Sequence, residues 1–282
     1  MLSTVIRAEL REEVQRYMQQ RGVPPGLVIV RVGGDAASGV YSKAILRIAR
    51  DLGVQASLEQ LPEETTQEEL RSQLLRLNND ETVHGIIVQM PLPAHLSQQV
   101  VIDTIAPEKD IDGITPLSAG NLLLGSPTFL PSTAAAVVEI LDRSNIALEG
   151  KHVVILGRSN VVGKPLSIML LQKNATVTIC HSRTANLTEV TRQADVLVAA
   201  VGRAQMVTAE MVRPGATVID VGINAKPEGG IVGDVDFASV SEVAAAITPT
   251  PGGVGPLTNV MLMKQCIKAA WRQFDQVKGR DR

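Results

Sequence analysis

Residues 152–165 read HVVILGRSNVVGKP, and the fold turns on how this stretch is read. Its first five residues are mostly apolar and β-branched, the length and composition of a buried strand. Gly157, Ser159 and Gly163 then mark a tight turn into a helix. A glycine at such a turn lets the backbone approach a pyrophosphate, and the helix N-terminus offers it unpaired N–H groups. The spacing is GxSxxxG rather than GxGxxG, so this motif alone also suits a tight turn in any α/β protein. The surroundings favour the nucleotide reading. Strand ATVTIC, a helix, strand DVLVAA, a helix and strand ATVIDVG follow in alternation, the rhythm of a Rossmann-like parallel sheet.

The end of the second of these strands bears on the cofactor. Enzymes that prefer NAD place an Asp or Glu there for the ribose hydroxyls. This chain has CHSRT, with Ser182 and Arg183 and no carboxylate. With Arg158 from the first turn, these groups suit a 2′-phosphate, so NADP is the expected cofactor; the alternative is a solvated arginine on a surface loop.

Toward the N-terminus a second α/β rhythm runs GLVIVRV, a helix after Ser38, VQASLEQ, TQEELRSQLLRLN and HGIIVQM, stopped by PLP. It predicts another parallel sheet. The amphipathic helix TQEELRSQLLRLN is expected to bury Leu70, Leu74, Leu75 and Leu77. The fold class is therefore α/β with two domains flanking a cleft, residues 1–118 and 119–282, the change falling near APEKDIDGITP. A last helix, about residues 256–274, follows TPTPGGVGPLT and is expected to pack back on the first domain.

Composition sets outer limits. A length of 282 residues with 45% apolar and 20% charged residues is that of a globular protein. A net charge of −2 and 2% aromatics give no pull toward nucleic acid or an anionic membrane. No apolar run reaches membrane-span length, and the amphipathic N-terminus is unlike a signal peptide. Cys180 and Cys266 lack a CxxC or zinc spacing and read as buried free thiols. No metal is expected, and the location is expected to be cytoplasmic.

Taken in order, SGVY, GIIVQMPLP, PEKDIDGITP, GRSNVVGKP, CHSRT, DVGIN, GDVDF and TPTPGGVGPLT resemble the methylenetetrahydrofolate dehydrogenase/cyclohydrolase family. The resemblance runs from about Pro25 to the last helix, and the combination of VQMPLP, KDIDG and PGGVGP at these separations is specific. It implies oxidation of 5,10-methylenetetrahydrofolate with NADP in one-carbon metabolism, then hydrolysis of the methenyl product to 10-formyltetrahydrofolate. It implies a folate-binding N-terminal domain, an NADP-binding C-terminal one and a homodimer formed through the latter. By position, Tyr41 would stack on the folate's aromatic system, Gln89 would lie near the one-carbon bridge, and Asp112 would bind the pterin's donor edge. Pro251, Gly252 and Gly253 would shape the cleft wall, and Ile223 would border the nicotinamide. Each has a structural alternative: Tyr41 a core aromatic, Gln89 a buried amide, Asp112 a cap or turn residue.

Three features depart from the family. Its short opening strand looks cut down, since the chain begins almost at its first helix. Its PCTP segment reads PSTA at residues 131–134, a change expected to alter packing more than chemistry. The third departure concerns the family's catalytic lysine, four residues after the tyrosine. From Tyr41 to Gly53 no gap is needed, so that place falls on Ile45. A position four along lies roughly 40° around a helix, whereas Lys43, two along, lies roughly 200° around, on the far side. Arg47 cannot serve as a base near neutral pH. Hydride transfer needs chiefly alignment, but hydrolysis needs a proton removed from water, so the expectation is dehydrogenase activity with weakened hydrolysis. The rival readings are a fully bifunctional enzyme rescued by Lys43 or bound water, and a catalytically silent folate- or NADP-binding regulator.

Overall fold

The computed structural model describes residues 2–34 and 36–280, so the outer ends of the two expected domains, Met1 and Arg282, lie outside the described residues. Helix α1 (Leu2–Arg21) repeats apolar residues at helical spacing and buries Ile6, Leu10, Val14 and Tyr17. Strand β1 (Gly26–Val32), helix α2 (Ala36–Leu52), strand β2 (Gln55–Leu61), helix α3 (Gln67–Asn79) and strand β3 (Gly85–Val88) form the first unit. Its sheet is parallel in the order β2-β1-β3. Helix α3 starts with a capping box: Thr66 Oγ1 accepts from Glu69 N at 3.2 Å, and Glu69 Oε2 accepts from Thr66 N at 2.7 Å. It buries Leu70, Leu74 and Leu77. Leu75, expected on that face, is instead 47% exposed. Directly after Leu74, it steps about 100° around the helix and off the buried stripe.

Three helices lead to the second unit: α4 (Gln98–Thr104), α5 (Pro116–Leu124) and α6 (Ser132–Arg143). Residues 118 and 119, where the sequence suggests the division, lie inside α5. Then come β4 (His152–Leu156), α7 (Gly163–Leu171), β5 (Thr176–Cys180), α8 (Leu187–Thr191), β6 (Val196–Ala199) and β7 (Thr217–Asp220). A small antiparallel hairpin of β8 (Asn224–Ala225) and β9 (Ile231–Val232), helix α9 (Phe237–Ser241) and strand β10 (Ala246–Ile247) complete this unit. Its main sheet is parallel throughout, in the order β10-β7-β6-β4-β5. In place of the helix expected between β6 and β7 stands a three-residue 3-10 turn, Ala209–Met211. Gly202, Pro214 and Gly215 punctuate that connection and leave too short a run for a full helix.

The last helix, α10 (Val254–Arg280), starts before and ends beyond the expected span. It returns across the first unit, packing on α1, α2, β1 and β3 as well as on α6. One apolar core is thereby continuous between the sheets, joining Ile29 and Ile87 of the first to Val153, Val198 and Ile219 of the second through Val260, Met263 and Ile267 of α10. Both cysteines are free and buried.

Candidate active site between the two sheets

Tyr41 lies near the start of α2 and is 38% exposed, so it is not a core aromatic. Burial of the hydroxyl raises its pKa, and the negative charge of Asp112 raises it further. A cation beside the ring would act in the opposite sense. One turn on, Ile45 is 0% exposed and belongs to the main core. An apolar side chain sealed from solvent thus stands one turn along the helix from Tyr41. Lys43 and Arg47 are both exposed.

Gln89 follows β3, and its backbone N–H extends the sheet by donating to Val30 O at 2.9 Å. Its side chain is buried, and Nε2 has no hydrogen-bond partner. An unmade buried hydrogen bond costs about 1–3 kcal/mol, which an acceptor on a bound ligand would recover.

The KDIDG segment divides its charges between scaffold and site. Lys109 Nζ donates to Leu77 O at 2.9 Å and Asp80 O at 2.6 Å, closing the C-terminus of α3. Asp110 accepts from the N–H groups of Ile114 and Thr115 and from the hydroxyls of Thr115 and Ser118, fixing the entry to α5. Asp112 lines the cleft, where Ser132 Oγ donates to its Oδ1 at 3.2 Å. Its pKa is pushed up to about 6, first by burial and then by the charge of Asp110, while the side-chain and backbone donors of Ser132 pull it down. The PSTA segment thus touches this wall of the cleft through a polar contact from Ser132. Ser132 does not stand out in the sequence as a site residue, and the departure at 131–134 is its one signal there.

A cavity of about 530 Å³ lies between the units, with Val88, Met90 and Asp112 on one wall and Asn160, Val161 and Lys164 on the other. Neither Tyr41 nor Gln89 lines it, so it takes in part of the expected site and not the whole.

The nucleotide turn has the close backbone approach its glycines suggest. Gly157 has φ +119°, and a Cβ there would overlap Ala200 O; a Cβ on Gly163 would overlap Gly157 O. Ser159 Oγ accepts from Val162 N at 3.1 Å and holds the turn. Arg158, Ser182 and Arg183 are exposed, beyond the C-terminal ends of the paired strands β4 and β5, where Leu156 opposes Cys180. The donor set fits the 2′-phosphate of NADP, and the glycine turn fits its pyrophosphate.

Beyond β6 and β7, two buried acids lace the loops together. Asp234 accepts from the N–H groups of Val201, Gly202 and Arg203 and from Asn224 Nδ2. Asp220 accepts from the N–H groups of Gly222, Asp234 and Val235. This network holds the turn that carries Ile223, 62% exposed, beside Gly255 at the start of α10. Neither acid stands out as a site residue from sequence. Pro251, Gly252 and Gly253 form the turn before α10, where a Cβ on Gly253 would meet Pro249 O. Among the described residues no group of three or more His, Cys, Asp or Glu could hold a metal, and no helix is long and apolar enough to cross a membrane.

A parallel-sheet dinucleotide unit beside an α/β unit that bears a carboxylate, an amide and a phenol defines a two-domain pyridine-nucleotide oxidoreductase. Residues 1–112 match the family model of the tetrahydrofolate dehydrogenase/cyclohydrolase catalytic domain, and residues 131–274 that of its NAD(P)-binding domain. The chain belongs to this family. It is 51% identical over 264 residues to the bifunctional protein FolD of Halalkalibacterium halodurans, covering 94% of each chain. Its structure resembles the bifunctional FolD enzyme of Campylobacter jejuni, with a TM-score of 0.94, 42% identity and 96% of each chain covered. It also resembles the Trypanosoma brucei methylenetetrahydrofolate dehydrogenase-cyclohydrolase complexed with NADP and an inhibitor, with a TM-score of 0.91 and 37% identity, covering 96% of this chain and 95% of that one.

Proposed function

We propose that this chain oxidises 5,10-methylenetetrahydrofolate to the 5,10-methenyl cation with NADP, and that it hydrolyses that cation weakly. The observation that carries the reading is Ile45, fully buried one turn from Tyr41, in a chain that keeps the tyrosine, amide and carboxylate.

In this reading Asp112 accepts from the pterin's donor edge, Tyr41 covers the folate's aromatic system, and Gln89 offers its unpartnered Nε2 near the one-carbon bridge. Pro251, Gly252 and Gly253 keep the cleft wall thin enough for the two rings to meet. Gly157, Ser159 and Gly163 receive the pyrophosphate, Arg158, Ser182 and Arg183 the 2′-phosphate, and Ile223 borders the nicotinamide. NADP, when bound, supplies the hydride acceptor. The protein's part in that step is alignment, and no side chain has to take a proton. Hydrolysis differs: a water attacks the cation and must lose a proton. General acid–base help is worth about 10²–10⁴ in rate, and an isoleucine cannot give it. A homodimer formed through the nucleotide-binding units, in the cytoplasm, belongs to the same reading.

Purified protein supplied with 5,10-methylenetetrahydrofolate should reduce NADP in preference to NAD, with methenyl product accumulating faster than it disappears. Hydrolysis of added methenyltetrahydrofolate at a rate comparable with hydride transfer would restore the fully bifunctional assignment. No NADP reduction at all would favour a silent binding protein.

A further inference from the structure

We propose that Ser132 is a positioning residue for the carboxylate that holds the substrate: its hydroxyl orients Asp112 toward the folate. The inference rests on the folate-binding reading of Asp112 given above.

Helix α6 begins at Ser132 with Pro131 in the cap position, and its N-terminus has no side-chain cap of its own. Asp112 brings an acceptor from 20 residues away, through Ser132 Oγ to Oδ1 at 3.2 Å. The bond serves both partners: the helix gains an anion at its positive end, and one carboxylate oxygen is fixed in direction.

The groups acting on Asp112 make this donor important. Asp110, on its own loop, repels its charge. Tyr41, from α2, lies within the reach of its field. Lys164, from α7 across the cavity, is tied to Asn160 Oδ1 at 2.7 Å. Ser132, from α6, is the stabilising partner, and with Ile45 in the core no ammonium arrives from that position. A neutral hydroxyl and one backbone N–H thus do what a cation would otherwise do. Ser132 is 3% exposed, so water cannot readily replace its hydroxyl. A pterin's donor edge requires an ionised, correctly turned acceptor.

The test is steady-state kinetics of the full chain with 5,10-methylenetetrahydrofolate and NADP across pH. A hydrogen bond to a charged group is worth about tenfold or more in affinity. Ser132→Ala should therefore raise the KM for folate about tenfold, leave kcat nearly unchanged, and move the acidic limb of kcat/KM upward by about one pH unit. Ser132→Thr, which keeps a hydroxyl, should restore both. Should the alanine variant be too unstable to assay, the isosteric pair Ser132→Thr and Ser132→Val makes the same comparison, with only the valine shifted. Asp112→Asn separates the two levels of the argument. If it binds folate as the parent does, the reading of Asp112 is wrong. If it loses folate while Ser132→Ala or Ser132→Val keeps both the KM and the acidic limb of the parent, the positioning role is wrong and the function stands.

Discussion

Position 45 carries a branched aliphatic side chain wholly inside the core, one helical turn from a half-open tyrosine. Ile45→Lys would put the lysine's stem through the same packed space and ask its amine to emerge beside Tyr41. Burial would lower the amine's pKa, the direction a general base requires near neutral pH. Methenyl hydrolysis should rise by about tenfold or more and hydride transfer should change little. The thermal midpoint should fall, since core packing is disturbed. A variant that folds, keeps its dehydrogenase rate and gains no hydrolysis would show that the missing amine is not what limits the second step. Tyr41, Gln89 and Asp112 were legible as candidates because each sits at a fixed offset in a short, distinctive string. Ser132 was not, because its meaning comes from a contact that only folding creates. KDIDG illustrates the same limit: the string identifies the segment, but Lys109 and Asp110 turn out to serve the scaffold and Asp112 the cleft.

Helix α1 is anchored to the first sheet by a buried polar link within an apolar contact. His84 Nδ1 accepts from Gly26 N at 2.8 Å, which leaves Nε2 to donate to Tyr17 Oη at 3.1 Å. Trp271 and Phe274 of α10 pack around the same phenol. Burial, then the charges of Lys109 and Arg21, lower the His84 pKa from 6.5 to about 4. Between those values the unfolded chain binds a proton that the folded protein refuses, so this contribution is complete above about pH 6.5 and is lost as pH falls toward 4. The loss amounts to roughly 3 kcal/mol. Asp112, raised to about 6, opposes it over part of that range, so the measurement is a comparison. His84→Gln should be less stable at pH 7 but should lose less stability than the parent on acidification to about pH 5, read from denaturant midpoints. Parallel slopes would exclude His84 as the titrating group. The two-residue strands β8, β9 and β10 are too short to show a pattern, but β1 to β7 were legible from short apolar runs and α1 and α3 from amphipathic patterns. Helices α4, α5 and α6 were not. The first two are short, and α6 opens with small residues, Ser132, Thr133 and three alanines, whose packing is set by contact with α10 and α7.

At the scale of the whole molecule, the two sheets are not independently cored. The apolar cluster that contains Ile29 of β1 and Ile45 of α2 also contains Val153 of β4 and Val198 of β6. Helix α10, which follows the nucleotide-binding unit in sequence, supplies much of the join on the first unit: Val260, Met263 and Ile267 are all fully buried, and Cys266 Sγ lies 3.6 Å from Gly26 O. A contact of this kind couples unfolding, because releasing α10 exposes apolar surface on both units at once. The chain should therefore unfold in a single calorimetric transition, with its tertiary circular dichroism signal and its NADP-induced stabilisation lost over the same temperature range. Ile267→Ala should destabilise that one transition by about 2–5 kcal/mol without splitting it. Two resolved transitions in the parent, or an Ile267→Ala variant in which only one signal moves, would mean that the units fold separately and that α10 is docked rather than shared.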